Sequence, residues 1–206
     1  EAELLARYGV SRAVLREAVR IVEHGGAARM RRGPGGGLVV AEPNRDAVAA
    51  AMAVWFAYVG VTTLEITEAW GPLAVEAVRL SAQRRAPGAT EVARRLDALA
   101  GDDDVDALEL SRAVGEIADL SGNIAISVFT RALTGVGTAR IVAASGRALL
   151  TTAEGRRRTL DSYRRVVAAI LDGDVEDAGA AMQAILADIH IRSELAPPKP
   201  QARRPP

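Results

Sequence analysis

The chain has 206 residues, of which 49% are hydrophobic and only 3% aromatic. Its core must therefore consist of Ala, Leu, Val and Ile. These residues suit packed helices better than a sandwich of strands. The absence of cysteine excludes a disulfide framework. The sequence also contains neither a long apolar run nor a signal-peptide pattern, so we expect a cytoplasmic protein with no membrane partner. The formal net charge is zero, but residues 1–43 hold seven arginines against five glutamates.

The first 40 residues follow the order helix, tight turn, helix, hairpin. Residues 1–8 are helix-like from the first position, so we expect the chain as given to lack the first helix of this unit. Gly9 is predicted to end that helix, and Ser11 to cap a second one that stops at Gly25-Gly26. Two short extended runs around residues 33–37 predict a β-hairpin, and the whole order is typical of a winged helix-turn-helix. The second helix should bury an apolar stripe at helical spacing, formed by Val14, Leu15, Ala18, Val19 and Val22.

From Asn44 onward the pattern is helical. Glycine, proline and capping residues separate helices predicted near 44–59, 63–85, 89–100, 104–121, 124–143, 154–172 and 174–194. Pro72 should kink its helix or begin it afresh. We therefore predict a mainly α protein in three parts. These are a winged helix-turn-helix over 1–43, an all-α antiparallel bundle for dimerisation and effector binding over 44–195, and a disordered proline-rich tail or linker over 196–206.

The start of the second helix carries the residue types that read DNA. The N-terminal end of a recognition helix enters the major groove, where an arginine that donates to guanine O6 and N7 is worth about 1–3 kcal/mol of discrimination. A glycine-rich wing with arginines can follow the backbone or the minor groove. Any one of these elements alone could be a solvated surface, but their order favours DNA binding. The predicted contacts are Ser11, Arg12, Ala13, Arg16, Arg31, Arg32 and Gly33.

This N-terminal pattern resembles the winged helix of the GntR family of bacterial regulators. The family signature is matched without gaps at Glu1, Glu3, Leu4, Gly9-Val10-Ser11-Arg12, Arg16-Glu17-Ala18, Gly26, Arg32-Gly33 and Val39. The resemblance implies DNA contacts from the helix start and the wing. The family carries an arginine in the preceding helix where this chain has Ala2, so one contact to the DNA backbone is missing here.

The remaining chain resembles the C-terminal domain of the FadR branch of that family, through residues 73–84, 117–123 and 166–182. Many members of this branch bind a divalent metal through one Asp and three His. The corresponding positions here are Leu110, Val114, Tyr163 and Ile185. Aliphatic side chains offer no lone pair and one phenol does not hold such an ion, so we expect no metal and no other cofactor. The only histidines, His24 and His190, lie elsewhere.

The helical domain also contains polar and aromatic residues that are candidates to face an effector. They are Trp70, Glu76, Arg79, Arg140 and Tyr163, with Glu68 beside them. Two interpretations stay open. One is a metal-free pocket for an acyl or organic-acid effector, which the resemblance to fatty-acyl-responsive members implies. The other is a closed core without ligand, in a degenerate regulator or one half of a tandem chain whose helical domain only dimerises.

We therefore predict a homodimeric repressor that binds a palindromic operator in double-stranded DNA. Enzymatic function is the competing class, and it needs a nucleophile with its base, paired carboxylates or a metal. The run Asp102-Asp103-Asp104 is explained more simply as a solvated helix cap, and residues 33–37 lack the Lys-Ser/Thr of a phosphate-binding loop. We expect no enzymatic activity.

Overall fold

The structure is a computed structural model, and it describes residues 2–31, 33, 36–41, 46–100, 107–145 and 153–194. The chain divides into two compact units, Glu1–Ala47 and Val48–Pro206. The boundary predicted between residues 43 and 44 lies four positions before this division. The predicted tail over 196–206 lies outside the described residues, as do Arg32 and the side chain of His190. The prediction of a mainly α fold is confirmed.

The N-terminal unit contains two helices and a hairpin. Its elements are α1 (Ala2–Tyr8), α2 (Arg12–His24), β1 (Ala28–Arg31) and β2 (Gly37–Val40). Gly9 ends α1 in the left-handed conformation, with φ of 61°, and its amide donates to the Leu5 carbonyl at 2.9 Å. At the end of α2, Gly26 has φ of 70°, and the next amide, that of Ala27, donates to the Val22 carbonyl at 3.2 Å. These glycine stops produce the tight turns that the sequence predicts.

The strands β1 and β2 pair antiparallel, with Ala28 opposite Val40 and Arg31 opposite Gly37. The amide of Ala41 donates to the carbonyl of Ala27 at 3.0 Å and lengthens this ladder by one bond. The hairpin that the two short extended runs predict therefore forms.

The apolar stripe predicted on α2 is only partly buried. Val19 is buried and Leu15 is half-buried, but Ala18 is exposed, and Val14 and Val22 are 55% and 38% exposed. The elements that pack against α2 within this unit are α1 and β1, which are two turns and four residues long. They are too small to cover the whole stripe, so the prediction was wrong for Ala18, Val14 and Val22.

The second unit is a bundle of helices. They are α3 (Asp46–Val59), whose first two residues precede the division, α4 (Thr63–Gln83), α5 (Ala89–Ala100), α6 (Ala107–Asp119), α7 (Ile124–Ser145), α8 (Ala153–Asp172) and α9 (Val175–Glu194). The central helix is α4, which packs against α6, α7, α8 and α9. The core between them is aliphatic, as the composition predicts, with Val78, Leu96, Ile117, Val166 and Ile170 almost fully buried.

Two short motifs at the joints of the bundle stop one helix and start the next. In Ser121-Gly122-Asn123, Gly122 has φ of 62°, and Asn123 Oδ1 accepts from two amides of the first turn of α7 at 3.1 and 3.2 Å. In the Gly173-Asp174 pair, Gly173 has φ of 72° and Asp174 Oδ1 accepts from the amide of Asp177 at 2.9 Å. Both motifs combine a left-handed glycine with an N-cap oxygen.

Pro72 does not divide α4. The helix is continuous from Thr63 to Gln83, so the alternative that it begins afresh at Pro72 is wrong. Because proline has no N–H, the main-chain carbonyl of Glu68 loses its helical partner. Pro72 is exposed, whereas Trp70, Gly71 and Ala74 beside it are buried, so packing of the inner face of α4 maintains the helix across this position.

Candidate nucleic-acid interface

The N-terminal end of α2 presents donors to solvent. Ser11 is its N-cap, with extended backbone, and Ser11 Oγ accepts from the amide of Val14 at 3.3 Å. The first amides of any helix lack intrahelical partners, so this end favours an anion. Arg12 and Arg16 lie one turn apart on one face of α2, and both are exposed, as is Ala13 between them. All four residues predicted for this helix start are accessible in the structure.

A third arginine of the same helix has a different environment. Arg20 Nη1 lies 3.2 Å from Glu17 Oε2, and both side chains are largely exposed. The carboxylate compensates the charge of Arg20 locally, although an exposed pair of this kind contributes little to stability. Arg20 is therefore an internal reference for the two arginines at the helix start.

The hairpin presents arginines on one of its faces. Residues alternate between the faces of a strand, so Arg29 and Arg31 share the face opposite to that of Ala28, which is buried. At the turn, Gly33 is exposed with φ of 103°, and its carbonyl accepts from the amide of Gly36 at 2.8 Å. A Cβ on Gly36 would collide with main-chain atoms of this turn, among them the carbonyl oxygen of Gly33 at 2.7 Å. The tight turn thus requires glycine at that position.

One residue that the sequence analysis missed connects α2 to the hairpin. Glu23 Oε1, in the last turn of α2, accepts from the main-chain N–H of Met30 in β1 at 2.6 Å. A carboxylate is unfavourable at a helix C-terminus, where the helix dipole is negative. That misplaced charge was the available signal that Glu23 has a partner outside its helix.

The four positions that the family resemblance assigns to metal ligands are filled by core residues in this structure. Leu110, Val114, Tyr163 and Ile185 are buried, between 4% and 7% exposed, and all four belong to one apolar cluster. Burial raises the pKa of the Tyr163 phenol above its ordinary value, because the core disfavours the charged phenolate. Within the described residues, no three His, Asp or Glu side chains come together as a possible metal site. These residues do not fit a divalent ion.

The five residues predicted to face an effector occupy three different places. Trp70 and Tyr163 are buried in the core, and the Nε1 of Trp70 has no partner among the described residues. Arg140 Nη1 donates to the carbonyl of Val61, between α3 and α4. Glu76 and Arg79 lie together on the exposed side of α4. The structure therefore brings only Glu76 and Arg79 into one site.

That site is an open groove of about 650 Å³ between α4 and α9. Its size is within the range of ligand sites in proteins, roughly 300–1,000 Å³. The lining residues are Thr67, Glu68, Gly71, Pro72, Val75, Glu76, Arg79, Gln183, Leu186 and Ala187. The residues from α9 were missed, because their pairing with α4 is not encoded locally. The available signal for this pairing was glycine inside helices. Gly71 of α4 leaves room for the side chain of Leu186, and Gly179 of α9 leaves room for the guanidinium of Arg79.

A helix-turn-helix with a wing, joined to a helical bundle, defines a class of DNA-binding regulators. Residues 65–188, more than half of the chain, match the FCD domain family. The chain therefore belongs to the FCD domain family, and the resemblance to GntR-family regulators of the FadR branch is confirmed. No protein of curated function matches the chain in sequence.

Three solved structures are similar to the chain. A GntR protein of Streptococcus agalactiae has 18% identity and a TM-score of 0.61, over 92% of this chain and 86% of that one. Lar, which controls the expression of the Listeria monocytogenes agr system and mediates virulence, has 14% identity and a TM-score of 0.52, over 95% and 85%. McbR/YncC of E. coli has 16% identity and a TM-score of 0.49, over 94% and 85%. At such identities the first two comparisons establish the fold alone.

Among the helices that the structure describes, none combines the length and the apolar character that crossing a membrane requires.

Proposed function

We propose that this chain is a homodimeric transcription repressor that binds a palindromic operator in double-stranded DNA. The observation that carries the proposal is the pair Arg12 and Arg16, exposed on one face at the N-terminal end of α2. Arginine in this place donates in bidentate fashion to guanine in the major groove. We propose the cytoplasm as the place of action, where bacterial chromosomal DNA lies.

The wing adds contacts that position the protein without selecting sequence. Arg29 and Arg31 share one face of the hairpin, which suits the phosphate backbone or a narrow minor groove. Arg32 and Gly33 are assigned to the same contact by the family resemblance. Ser11 and the free amides of α2 favour a phosphate. Two such units related by a twofold axis require two half-sites of opposite orientation, and hence a palindrome.

The experiment is in vitro selection of the DNA sequence, followed by titration of the selected operator monitored by fluorescence anisotropy. Arg12→Ala or Arg16→Ala should each weaken binding by about 1–3 kcal/mol and relax the base preference at one position of each half-site. Arg20→Ala is the matched control, because it removes the same charge from the same exposed helix and leaves the helix start intact. It should lose only the weak non-specific attraction to phosphate.

Equal losses in all three variants, with the base preference unchanged, would contradict the assignment of the helix start. If the unaltered protein selected no sequence at all, the proposal of a specific regulator would fall as a whole.

We also propose that regulation acts through a small acyl or organic-acid effector in the helical unit, and that its contact site is the groove between α4 and α9. The groove has an apolar part formed by Val75 and Leu186, and Arg79 is the cation among its lining residues. Such an arrangement suits an apolar chain with a carboxylate. Glu68 and Glu76 line the same groove and oppose an anion, so the ligand carboxylate must lie close to Arg79.

The second candidate is a regulator whose helical unit only dimerises. It is favoured by the burial of Leu110, Val114, Tyr163 and Ile185, which leaves the interior without ligand-binding groups at those positions. A thermal-shift measurement with acyl-CoAs and small organic acids separates the two candidates. Stabilisation that is reduced in Arg79→Gln supports the groove. No stabilisation by any of these compounds supports the regulator without effector.

A further inference from the structure

The groove between α4 and α9 contains two carboxylates that the proposed effector does not use. Glu68 and Glu76 are exposed on α4 and line the groove, and among the described residues neither of them forms a hydrogen bond or an ion pair. They lie eight residues apart, which is about 12 Å along the helix axis at a rise of roughly 1.5 Å per residue. The groove therefore combines an apolar surface with a negative α4 edge.

The two helices that form the groove run antiparallel. Gly71 of α4 faces Leu186 of α9, and further along α4 the guanidinium of Arg79 faces Gly179. Residue numbers therefore rise along α4 as they fall along α9, and the end of α9 at Glu194 is level with the beginning of α4. A segment that leaves α9 and turns back along the groove meets the two carboxylates in the order of their numbers.

The chain that follows α9 has the complementary charge. Residues 195–206 contain the cations Lys199, Arg203 and Arg204, five prolines and no acidic residue. A proline-rich sequence favours the extended polyproline II conformation, which advances about 3.1 Å per residue. Four residues separate Lys199 from Arg203, so their spacing in this conformation is about 12 Å, which equals the spacing of the two carboxylates along α4. Charge, spacing and chain direction therefore agree.

We propose that residues 195–206 of the same chain, which we call the basic tail, bind in the groove between α4 and α9. Lys199 then pairs with Glu68 and Arg203 with Glu76, and the residues before Lys199 span the reversal after α9. The prolines pack against the apolar surface of the groove, because a preformed extended segment binds such a surface at a low cost in conformational entropy.

The binding of the basic tail is weak and reversible. Exposed ion pairs contribute little, but a short tether supplies an effective concentration on the order of 1 mM, so a tail of similar affinity is bound in about half of the molecules. An effector of the proposed class needs the same apolar surface and has to displace the tail. This regulatory role rests on the proposed function, and it raises the effector concentration at which the protein responds.

The first test uses Lys199, the only lysine of the chain. A carbodiimide joins an amine directly to a carboxylate in contact with it, so the parent protein should form an amide between Lys199 and Glu68, identified by mass spectrometry. Arg203→Gln and Glu76→Gln should each lower the yield about two- to fivefold, the effect of losing one exposed ion pair. Glu91→Gln is the matched control, because Glu91 is an exposed carboxylate of α5 that does not line the groove. It should leave the yield unchanged.

The variants distinguish a bound tail from chance encounters of a tethered lysine. Neither Arg203 nor Glu76 takes part in the cross-link itself, so both act only by holding the tail in the groove. The exchanged pair Arg203→Glu with Glu76→Arg should restore the yield. A yield that is the same in the parent, Arg203→Gln and Glu76→Gln overturns the proposal, as does the absence of the product in the parent.

The second test determines the register, and it uses the absence of cysteine from the chain. With Arg203 against Glu76, the neighbouring Ala202 lies close to Gln183 on the α9 side of the groove. The pair Ala202→Cys and Gln183→Cys should form a disulfide within one chain in higher yield than Ala202→Cys with Glu91→Cys, since the bond needs Cα atoms within about 7 Å. Equal yields overturn the proposal. A covalent dimer in place of the internal bond also overturns it, because the tail of a second copy then occupies the groove.

A ligand titration separates failure of the tail from failure of the proposed function. The probe is decanoate, an apolar chain with a carboxylate, and the readout is the melting temperature. If both proposals are right, the double variant Lys199→Gln/Arg203→Gln responds at about half the decanoate concentration that the parent needs. If decanoate stabilises neither protein but both cross-links form, the tail proposal is supported and the effector proposal is wrong. If decanoate stabilises both proteins at the same concentration and neither cross-link forms, the effector proposal is supported and the tail proposal is wrong.

Discussion

The hydrogen bond between Glu23 and Met30 makes a quantitative prediction about the wing. The bond joins a carboxylate to a main-chain N–H at 2.6 Å, and it is exposed to solvent. Hydrogen bonds to charged groups contribute about 1.5–3 kcal/mol, and exposure reduces this to about 1 kcal/mol. Glu23→Ala should therefore increase the population of the detached hairpin about fivefold.

A second variant isolates the hydrogen bond from the charge. Both Glu23→Ala and Glu23→Gln remove one negative charge near the proposed DNA-binding surface, so both gain the same non-specific attraction to phosphate. Only glutamine retains an acceptor for the Met30 N–H, and a neutral bond is roughly half as strong as a charge-assisted one. The detached population in Glu23→Gln should therefore increase only about twofold.

The assay is amide hydrogen exchange, resolved by residue with NMR spectroscopy. Amides of the hairpin ladder, such as that of Val39 opposite Arg29, should exchange about fivefold faster in Glu23→Ala and about twofold faster in Glu23→Gln, while amides in α4 should exchange at the rate of the parent. The operator affinity of the alanine variant should be lower than that of the glutamine variant, because a detached wing must be ordered again on binding. Equal exchange of the hairpin amides in both variants and the parent would refute the argument that Glu23 holds the hairpin.

Two further predictions concern the second unit. Gly122→Ala should lower the free energy of unfolding in denaturant by about 1–2 kcal/mol, since a side chain is strained at φ of 62° and its Cβ would lie 2.6 Å from Nη1 of Arg84. Gly135→Ala, in α7 with open space around it, should instead raise that free energy by about 0.5–1 kcal/mol, and the opposite order would contradict both assignments. Burial holds the pKa of Tyr163 above its usual value of about 10, so the unfolded chain loses this proton first and stability falls as pH rises above that value. Tyr163→Phe should flatten this alkaline part of the stability profile, and an unchanged slope would show that other groups cause it.

Local signals in the sequence predicted the features that depend on neighbouring residues alone. Gly9 and Gly26 end helices because the left-handed conformation there favours glycine, and Ser11 caps α2 because a hydroxyl is in reach of the third amide after it. These signals place α2 and its exposed arginines. They also place the joints of the bundle, since Asn123 combines with a left-handed glycine before it.

The sequence did not predict which faces of the helices are covered. Val14 and Val22 have the spacing of buried residues, yet they are exposed because α1 and the short hairpin do not reach them. The sequence analysis grouped Glu76 and Arg140 in one pocket, but Arg140 donates a hydrogen bond to the carbonyl of Val61 instead. Such facts depend on contacts between residues far apart in the chain, such as the packing of α9 against α4, and no local pattern encodes that pairing.

The replacement of the metal-binding positions has a consequence for how this domain is held together and regulated. Leu110, Val114, Tyr163 and Ile185 come from α6, α8 and α9, and each buried side chain of this size contributes about 1.5–3 kcal/mol through the hydrophobic effect. Polar ligands in the same core would cost free energy unless an ion compensated their burial. The three helices are therefore held together by apolar packing at the positions that the family resemblance assigns to metal ligands. Under the proposed function, regulation acts at an exposed surface, and the α4–α9 groove is one that the described part of the unit offers.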